Sequence, residues 1–209
     1  MLTLDFSNFP ILKTERLVLR PMSTEDAPAL FELRTDPVIN RYIDRLPTTE
    51  LEDALRFIEK IDKGIKDNHW LYWAITEATP IEVQCCQGSD DREGQEVLMD
   101  QGVHQNHLIG TICLWNFVPT DDKAELGYEL SVARQGLGLM SEAVNAILAY
   151  GFGTIGLSAV EAAVHPENAA SVKVLNRAGF TLVGTFEDTT LTGETVEMLI
   201  YEMRAKSCE

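Results

Sequence analysis

Apolar residues alternate with polar ones, or form short continuous runs, in seven segments of the chain. Such patterns, rich in branched and aromatic residues, are typical of β-strands. The nearly continuous apolar run at 157–164 predicts a strand in the interior of a sheet, because both of its faces would be covered. The predicted strands are 16–20, 69–76, 108–117, 123–131, 157–164, 180–186 and 195–203, the last two joined as a hairpin around Thr192-Gly193.

A period near 3.6 residues predicts four amphipathic helices. Ser23 with Asp26 and Thr49 with Glu52 are capping patterns that mark two helix starts, and Gly179 is a typical residue just past a helix end. The predicted helices cover about 23–34, 51–65, 139–148 and 168–178. Strands and helices are interspersed, so the sequence predicts a mixed α/β fold in a single domain spanning 1–209.

Residues 79–106 separate two predicted strands that a short turn could join. The segment is polar and contains Gly88, Gly94 and Gly102. Connections longer than about 15 residues are uncommon in compact domains. We therefore predict a flexible accessory insertion at 79–106, outside the core of the domain.

The composition excludes several classes of protein. Of 209 residues, 45% are hydrophobic, which is enough to bury a core. The chain has 17 Lys and Arg against 33 Asp and Glu, and its net charge of −16 argues against nucleic-acid binding. An acidic surface instead favours a cationic partner.

The sequence also bears on the cellular compartment. The first 20 residues lack a basic and apolar export signal. The uncharged stretch 143–160 is interrupted by three glycines, so no membrane span is expected. The cysteines form neither a disulfide framework nor the C-x-x-C spacing of a zinc site, and we expect a reduced, cytoplasmic protein without a metal.

The segment Gln135-Gly-Leu-Gly-Leu-Met-Ser141 lies between a predicted strand and a predicted helix. Gly136 and Gly138 permit a tight turn, and the N–H groups from Gly136 to Ser141 would then point outward at a positive helix N-terminus. That arrangement suits a pyrophosphate. Glycines required only by the geometry of the turn would give the same pattern, so both interpretations stay open.

A second glycine motif, Gly151-Phe-Gly-Thr-Ile-Gly156, matches the letters of a dinucleotide-binding fingerprint. It follows a predicted helix and precedes a predicted strand, whereas that fingerprint requires the strand first. We therefore assign it to the end of a helix and exclude a Rossmann domain.

Together these segments resemble the GNAT (general-control-type N-acetyltransferase) superfamily, and most closely the branch that includes the ribosomal-protein N-terminal acetyltransferases. The resemblance covers nearly the whole chain. It rests on the ordered occurrence of Thr14-Glu-Arg-Leu-Val-Leu-Arg20, Ile109-Gly-Thr-Ile112, Glu125-Leu-Gly-Tyr128, the glycine loop, Asn168-Ala-Ala-Ser171 and Ala178-Gly-Phe180. It implies a twisted mixed sheet whose fourth and fifth strands splay apart, and acetyl-CoA as the co-substrate.

The resemblance also implies which residues bind acetyl-CoA. The loop amides would bind the pyrophosphate, with Met140 in place of the usual final Gly or Ala. The strand before the loop would pair with the pantetheine arm. Asn168 and Ser171, at the start of the helix predicted at 168–178, would face the thioester end. The implied residues are Leu130, Val132, Gln135, Gly136, Leu137, Gly138, Leu139, Met140, Ser141 and Asn168.

The chemistry requires a neutral amine, a donor for the developing oxyanion and a proton source for the thiolate. Glu125 is the candidate base, through a water, and Glu129 on the same strand face is the substitute. Ser171 is the candidate acid, and a backbone N–H near Leu130 the candidate oxyanion donor. An exposed strand carboxylate at Glu125 and a helix hydrogen bond at Ser171 remain the structural alternatives.

Two functions remain open from the sequence. One is transfer of an acetyl group to a primary amine, which could be a protein N-terminus, a polyamine or another small amine. The other is a non-catalytic acyl-CoA-binding or regulatory module with the same cleft. The acidic charge favours an acceptor that arrives as a cation. The oligomeric state is left open, a homodimer included.

Overall fold

The computed structural model describes residues 2–78 and 107–205, and eight strands within these ranges form one sheet. Along the sheet the order is β1-β2-β3-β4-β5-β6-β8-β7, and every neighbouring pair is antiparallel except β5 with β6. The strands are β1 (Leu12–Lys13), β2 (Leu17–Pro21), β3 (Leu71–Glu77), β4 (Leu108–Val118), β5 (Lys123–Leu130), β6 (Ala159–Val164), β7 (Thr181–Thr189) and β8 (Thr195–Arg204).

Helices cover both faces of the sheet and bury two apolar clusters. On one face α1 and α3 enclose Leu30, Ile58 and Ala74. On the other, α4 packs its apolar stripe against the larger cluster, which contains Trp73 and Leu114. The helices are α1 (Ala27–Thr35), α2 (Pro37–Asn40), α3 (Leu51–Lys66), α4 (Leu139–Tyr150) and α5 (Ala169–Ala178). The predicted mixed sheet flanked by helices is confirmed.

The local predictions succeed where one short segment contains the whole signal. The capping box of Ser23 and Asp26 is present, and Gly193 turns the β7–β8 hairpin with a φ of 85°. The second capping prediction is wrong by one residue, since the box pairs Glu50 with Asp53. The Asp53 carboxylate accepts the N–H groups of both Thr49 and Glu50, so Asp53 rather than Glu52 completes the box.

The predicted splay is present between β5 and β6. These are the fourth and fifth predicted strands, because the two-residue strand β1 was not predicted. These strands pair only at Lys123 with Ala159, Ala124 with Val160 and Glu125 with Glu161. Each strand then continues without pairing to the other, β5 to Leu130 and β6 to Val164. Between the two lies a wedge-shaped gap that opens from Glu125 onward.

The predicted insertion at 79–106 lies outside the described residues. So do Cys85, Cys86 and His104, members of the zinc site against which the cysteine spacing argues. The strands that flank it are neighbours, and Thr76 pairs with Leu108 at their ends. A short turn could therefore connect β3 to β4, and we keep the prediction that the insertion is accessory to the catalytic core. Among the described helices, none is long and apolar enough to cross a bilayer.

Candidate active site

The glycine loop places a helix N-terminus beside the gap. Gly136 and Gly138 have φ values of 77° and 81°, in the left-handed region that side chains disfavour. Helix α4 begins at Leu139, and no side chain caps it at Gly138. The first-turn N–H groups of Leu139, Met140 and Ser141 have no partner within the helix, so they form the anion-binding end that a pyrophosphate requires.

Two predicted loop residues have other backbone roles. The Gln135 N–H donates to the Val132 carbonyl at 3.2 Å, so this amide is engaged inside the turn. Val132 itself lies beyond the end of β5, in a 3₁₀ turn at Val132–Arg134, rather than in an extended strand. Of the two residues predicted to pair with the pantetheine arm, Leu130 alone belongs to the strand.

The structure adds Arg16 to the loop, a residue that we did not predict at the site. Its guanidinium donates to the Leu137 carbonyl at 3.0 Å and forms a 2.6 Å ion pair with Glu142 in the first turn of α4. Thr14 also donates to Glu142, at 2.6 Å. The segment before β2 thus fixes the loop and places a positive charge beside it. These partners are more than 120 positions apart in the sequence, so no local pattern indicates them.

The Leu130 backbone faces the gap. The N–H of Ser131 donates to the Ile109 carbonyl of the β4 side at 2.8 Å. Successive residues of a strand direct their N–H and C=O groups to opposite sides, so those of Leu130 point away from β4. The Leu130 carbonyl accepts the side-chain amide of Gln135 at 3.0 Å, on the side of the gap. Its N–H therefore faces the same space.

Glu125 lies where β5 and β6 part. It is the last residue of β5 that pairs with β6, and its partner there is Glu161. Burial raises the pKa of Glu125 above its ordinary value, and the negative charge of Glu161 raises it further. A 3.4 Å hydrogen bond from the Asn116 amide lowers this pKa in part. A half-buried carboxylate with a raised pKa fits a general base better than an exposed strand residue.

Glu129, the substitute candidate, has both of its carboxylate oxygens engaged. Arg45 donates to Oε2 at 2.7 Å, and Thr111 donates to Oε1 at 3.2 Å. The Glu129 side chain is 4% exposed and that of Arg45 15% exposed. Both oxygens of this buried carboxylate are therefore committed to Arg45 and Thr111.

Ser171 lies across the gap from β5 and contacts Tyr128. Their hydroxyl oxygens are 2.7 Å apart. Burial raises the pKa of Tyr128 to about 12, so this phenol keeps its proton. The Tyr128 hydroxyl also lies 3.3 Å from the Ser171 carbonyl. When Tyr128 donates to the Ser171 Oγ, the Ser171 O–H is left for another acceptor. Asn168 caps α5, since its side-chain oxygen accepts the Ser171 N–H at 3.1 Å.

The second glycine motif is a helix end, as predicted. Gly151–Ile155 continues α4 as a π-turn, and Gly156 ends it with a φ of 83°. Within 2–78 and 107–205, no group of three or more His, Cys, Asp or Glu side chains could hold a metal ion.

Strands that part beside a glycine loop and a bare helix N-terminus define an acyl-CoA-binding fold, and the comparisons with known proteins give the family. The model of the acetyltransferase (GNAT) domain matches residues 16–181. This chain therefore belongs to the GNAT acetyltransferase family, and it is an acetyl-CoA-dependent N-acetyltransferase.

A curated relative agrees with the family assignment, and solved structures share the fold. The uncharacterized N-acetyltransferase p20 of Bacillus licheniformis is 31% identical over 179 residues, 85% of each chain. Among solved structures, Mycobacterium smegmatis RimJ in complex with CoA-disulfide matches with a TM-score of 0.72 at 18% identity, covering 94% of this chain and 86% of that one. The ribosomal-protein-S5-alanine acetyltransferase of Vibrio fischeri matches with a TM-score of 0.67 at 20% identity, covering 96% and 99%.

Proposed function

We propose that this enzyme acetylates a primary amine directly from bound acetyl-CoA, with Glu125 as the general base. The acceptor is a protein N-terminus, a polyamine or another small amine. The observation that carries the proposal is the position of Glu125, half-buried with a raised pKa at the point where β5 and β6 part. There the carboxylate can meet an amine at the same gap that would admit the thioester.

Each chemical requirement has a residue beside the gap. Acetyl-CoA supplies the acetyl thioester, and the N–H groups at the start of α4 would hold its pyrophosphate. Glu125 accepts the proton of the ammonium, directly or through a water, and frees the nitrogen lone pair. The Leu130 N–H donates to the thioester oxygen as charge develops there. The nitrogen bonds to the acetyl carbon, and as the C–S bond breaks Ser171 gives its hydroxyl proton to the departing sulfur. The nitrogen then loses its second proton to solvent, Ser171 regains one from solvent through Tyr128, and Glu125 releases its proton when the products leave.

An acceptor screen tests this function. We expect release of free CoA from acetyl-CoA only when an amine is added, with mass spectrometry showing one acetyl group on that amine. The probes are spermidine and hexapeptides with a free N-terminal alanine or serine, the alanine peptide motivated by the name of the Vibrio fischeri relative. Acetyl-CoA binding without amine-dependent CoA release from any probe would favour the non-catalytic module.

Salt should weaken the use of a cationic acceptor. A net charge of −16 attracts an ammonium over long range, and this attraction falls as salt shortens the Debye length. We expect kcat/KM for spermidine to fall at least about threefold between about 0.01 M and 0.15 M ionic strength. A hexapeptide whose only charge is its terminal ammonium is the control and should fall less. Equal, flat profiles for both acceptors would contradict electrostatic recruitment.

A further inference from the structure

Residues 41–50, which connect α2 to α3 and which we name the strap, contact β5 through a buried ion pair. Arg45 donates to Glu129 at 2.7 Å and, through Nε, to the Asn40 side chain at 2.8 Å. Asn40 in turn donates to the Arg34 carbonyl at 2.7 Å. The guanidinium is thus held from both sides, and the strap is fixed to β5. We call the parts of β5 and β6 beyond their last paired residues the two arms.

The strap also contacts the other arm. The ring of Tyr42 lies against that of His165, the first residue after β6, with 5.0 Å between their centroids. The Asp44 carboxylate accepts the Leu191 N–H of the β7–β8 turn at 2.9 Å. Three contacts, from Tyr42, Asp44 and Arg45, therefore join the strap to the end of β6, to the hairpin and to β5.

These contacts enclose an opening. Glu125 and Glu161 are the last paired residues, and Glu129 and His165 each lie four positions further along their arms. Four residues of strand span about 13 Å, and residues at even spacing share one face of a sheet. The two arms and the strap thus form a three-sided window with Glu125 at its apex. From the apex to the strap each arm is therefore about 13 Å long, the length of about four residues of extended chain.

We propose that Glu129 and Arg45 are positioning residues that latch the strap across this window, so that an amine at the end of an extended chain reaches Glu125 through it. The inference rests on the proposed function. Glu129 has no proton-transfer role, since its two oxygens hold Arg45 and Thr111. The latch instead sets where the acceptor lies relative to Glu125.

The first test is Glu129→Gln, assayed with the N-terminal alanine and serine hexapeptides. We expect the acceptor KM to rise at least about tenfold while kcat stays within about threefold, because the change loosens positioning and spares the base. The affinity for acetyl-CoA, measured by calorimetry, should stay within about twofold, because the glycine loop is untouched. A drop in kcat at constant KM would instead make Glu129 a base and overturn the proposal.

Loss of a buried charge can destabilise the fold, so a matched ion pair serves as the control. Arg20 and Asp26 are 2.6 Å apart with exposures of 17% and 4%, close to the values of the latch, and lie outside the window. Asp26→Asn should lower the melting temperature as Glu129→Gln does but leave the acceptor KM unchanged. Equal rises of KM in both variants would mean general loosening and refute the latch.

The double variant Arg45→Met/Glu129→Gln removes both charges and avoids an unpaired buried ion. The acceptor KM of the double variant should rise no further than that of Arg45→Met or Glu129→Gln alone, since both substitutions break the same contact. Additive effects would contradict this.

Amide hydrogen exchange of residues 41–50, followed by mass spectrometry, tests the latch without turnover. Exchange should accelerate in Glu129→Gln and not in Asp26→Asn. The exchange experiment needs no acetylated amine. It can therefore distinguish failure of the latch from failure of the proposed function. Unchanged exchange in Glu129→Gln would overturn the latch whatever the activity.

Discussion

Glu125→Gln is expected to lower kcat by about 10²–10⁴, the span typical of general acid–base catalysis. The substitution keeps the size of the side chain and its hydrogen bond to Asn116, and it removes only the ability to accept a proton. Binding of acetyl-CoA should be unaffected. The measurement is CoA release with the best acceptor of the screen, compared with acetyl-CoA affinity by calorimetry. A loss below about tenfold would remove Glu125 from the role of base.

The pH dependence gives this prediction a second readout. A base works as the carboxylate, so the rate should rise with pH through the pKa of Glu125, which burial places above the ordinary value. Glu161→Gln removes a negative charge that raises this pKa, so the acidic limb should move to lower pH. In Glu125→Gln the limb due to this group should disappear. A limb that stays in place in both variants would assign the titration to another group.

The parts of the site that the sequence predicts are those encoded in contiguous residues. The glycine loop, the start of α4 and the start of α5 follow from short spacings, because a glycine at positive φ and a helix boundary are local requirements. Even so, the alternation that predicted a strand to residue 131 gave no sign of the 3₁₀ turn at Val132. Three carboxylates at Glu50, Glu52 and Asp53 also made the capping register ambiguous.

The contacts that complete the site join distant segments. Arg16 meets Glu142 across 126 positions, Arg45 meets Glu129 across 84, and Tyr128 meets Ser171 across 43. No periodicity predicts such pairs, because they depend on which strands become neighbours. A signal for Tyr128 was nonetheless available, since it ends the motif Glu125-Leu-Gly-Tyr128 on which the resemblance partly rests. The family resemblance implied that two strands part. Only the three-dimensional fold showed that Glu125 lies at the point where they do.

Gly138→Val is expected to weaken acetyl-CoA binding by about 10- to 100-fold, the loss that follows when one charge-assisted hydrogen bond is removed. Gly138 has a φ of 81°, which a β-branched residue adopts only with strain. A Cβ there meets nothing closer than Arg16 at 3.6 Å, so the protein has room for it and the fold should persist. The backbone, however, should shift away from the left-handed region and turn the first N–H groups of α4 away from the pyrophosphate.

Gly153→Val is the matched control, because it introduces the same side chain into the other glycine motif. Gly153 has an ordinary φ, and a Cβ there meets no atom of the described chain within 4 Å. We expect its acetyl-CoA affinity, measured by calorimetry, to equal that of the unsubstituted enzyme, and the circular dichroism of both variants to be unchanged. Equal affinity in Gly138→Val would show that this loop does not hold the cofactor. Weakening by Gly153→Val alone would assign the phosphate site to 151–156, although the helix there precedes the strand.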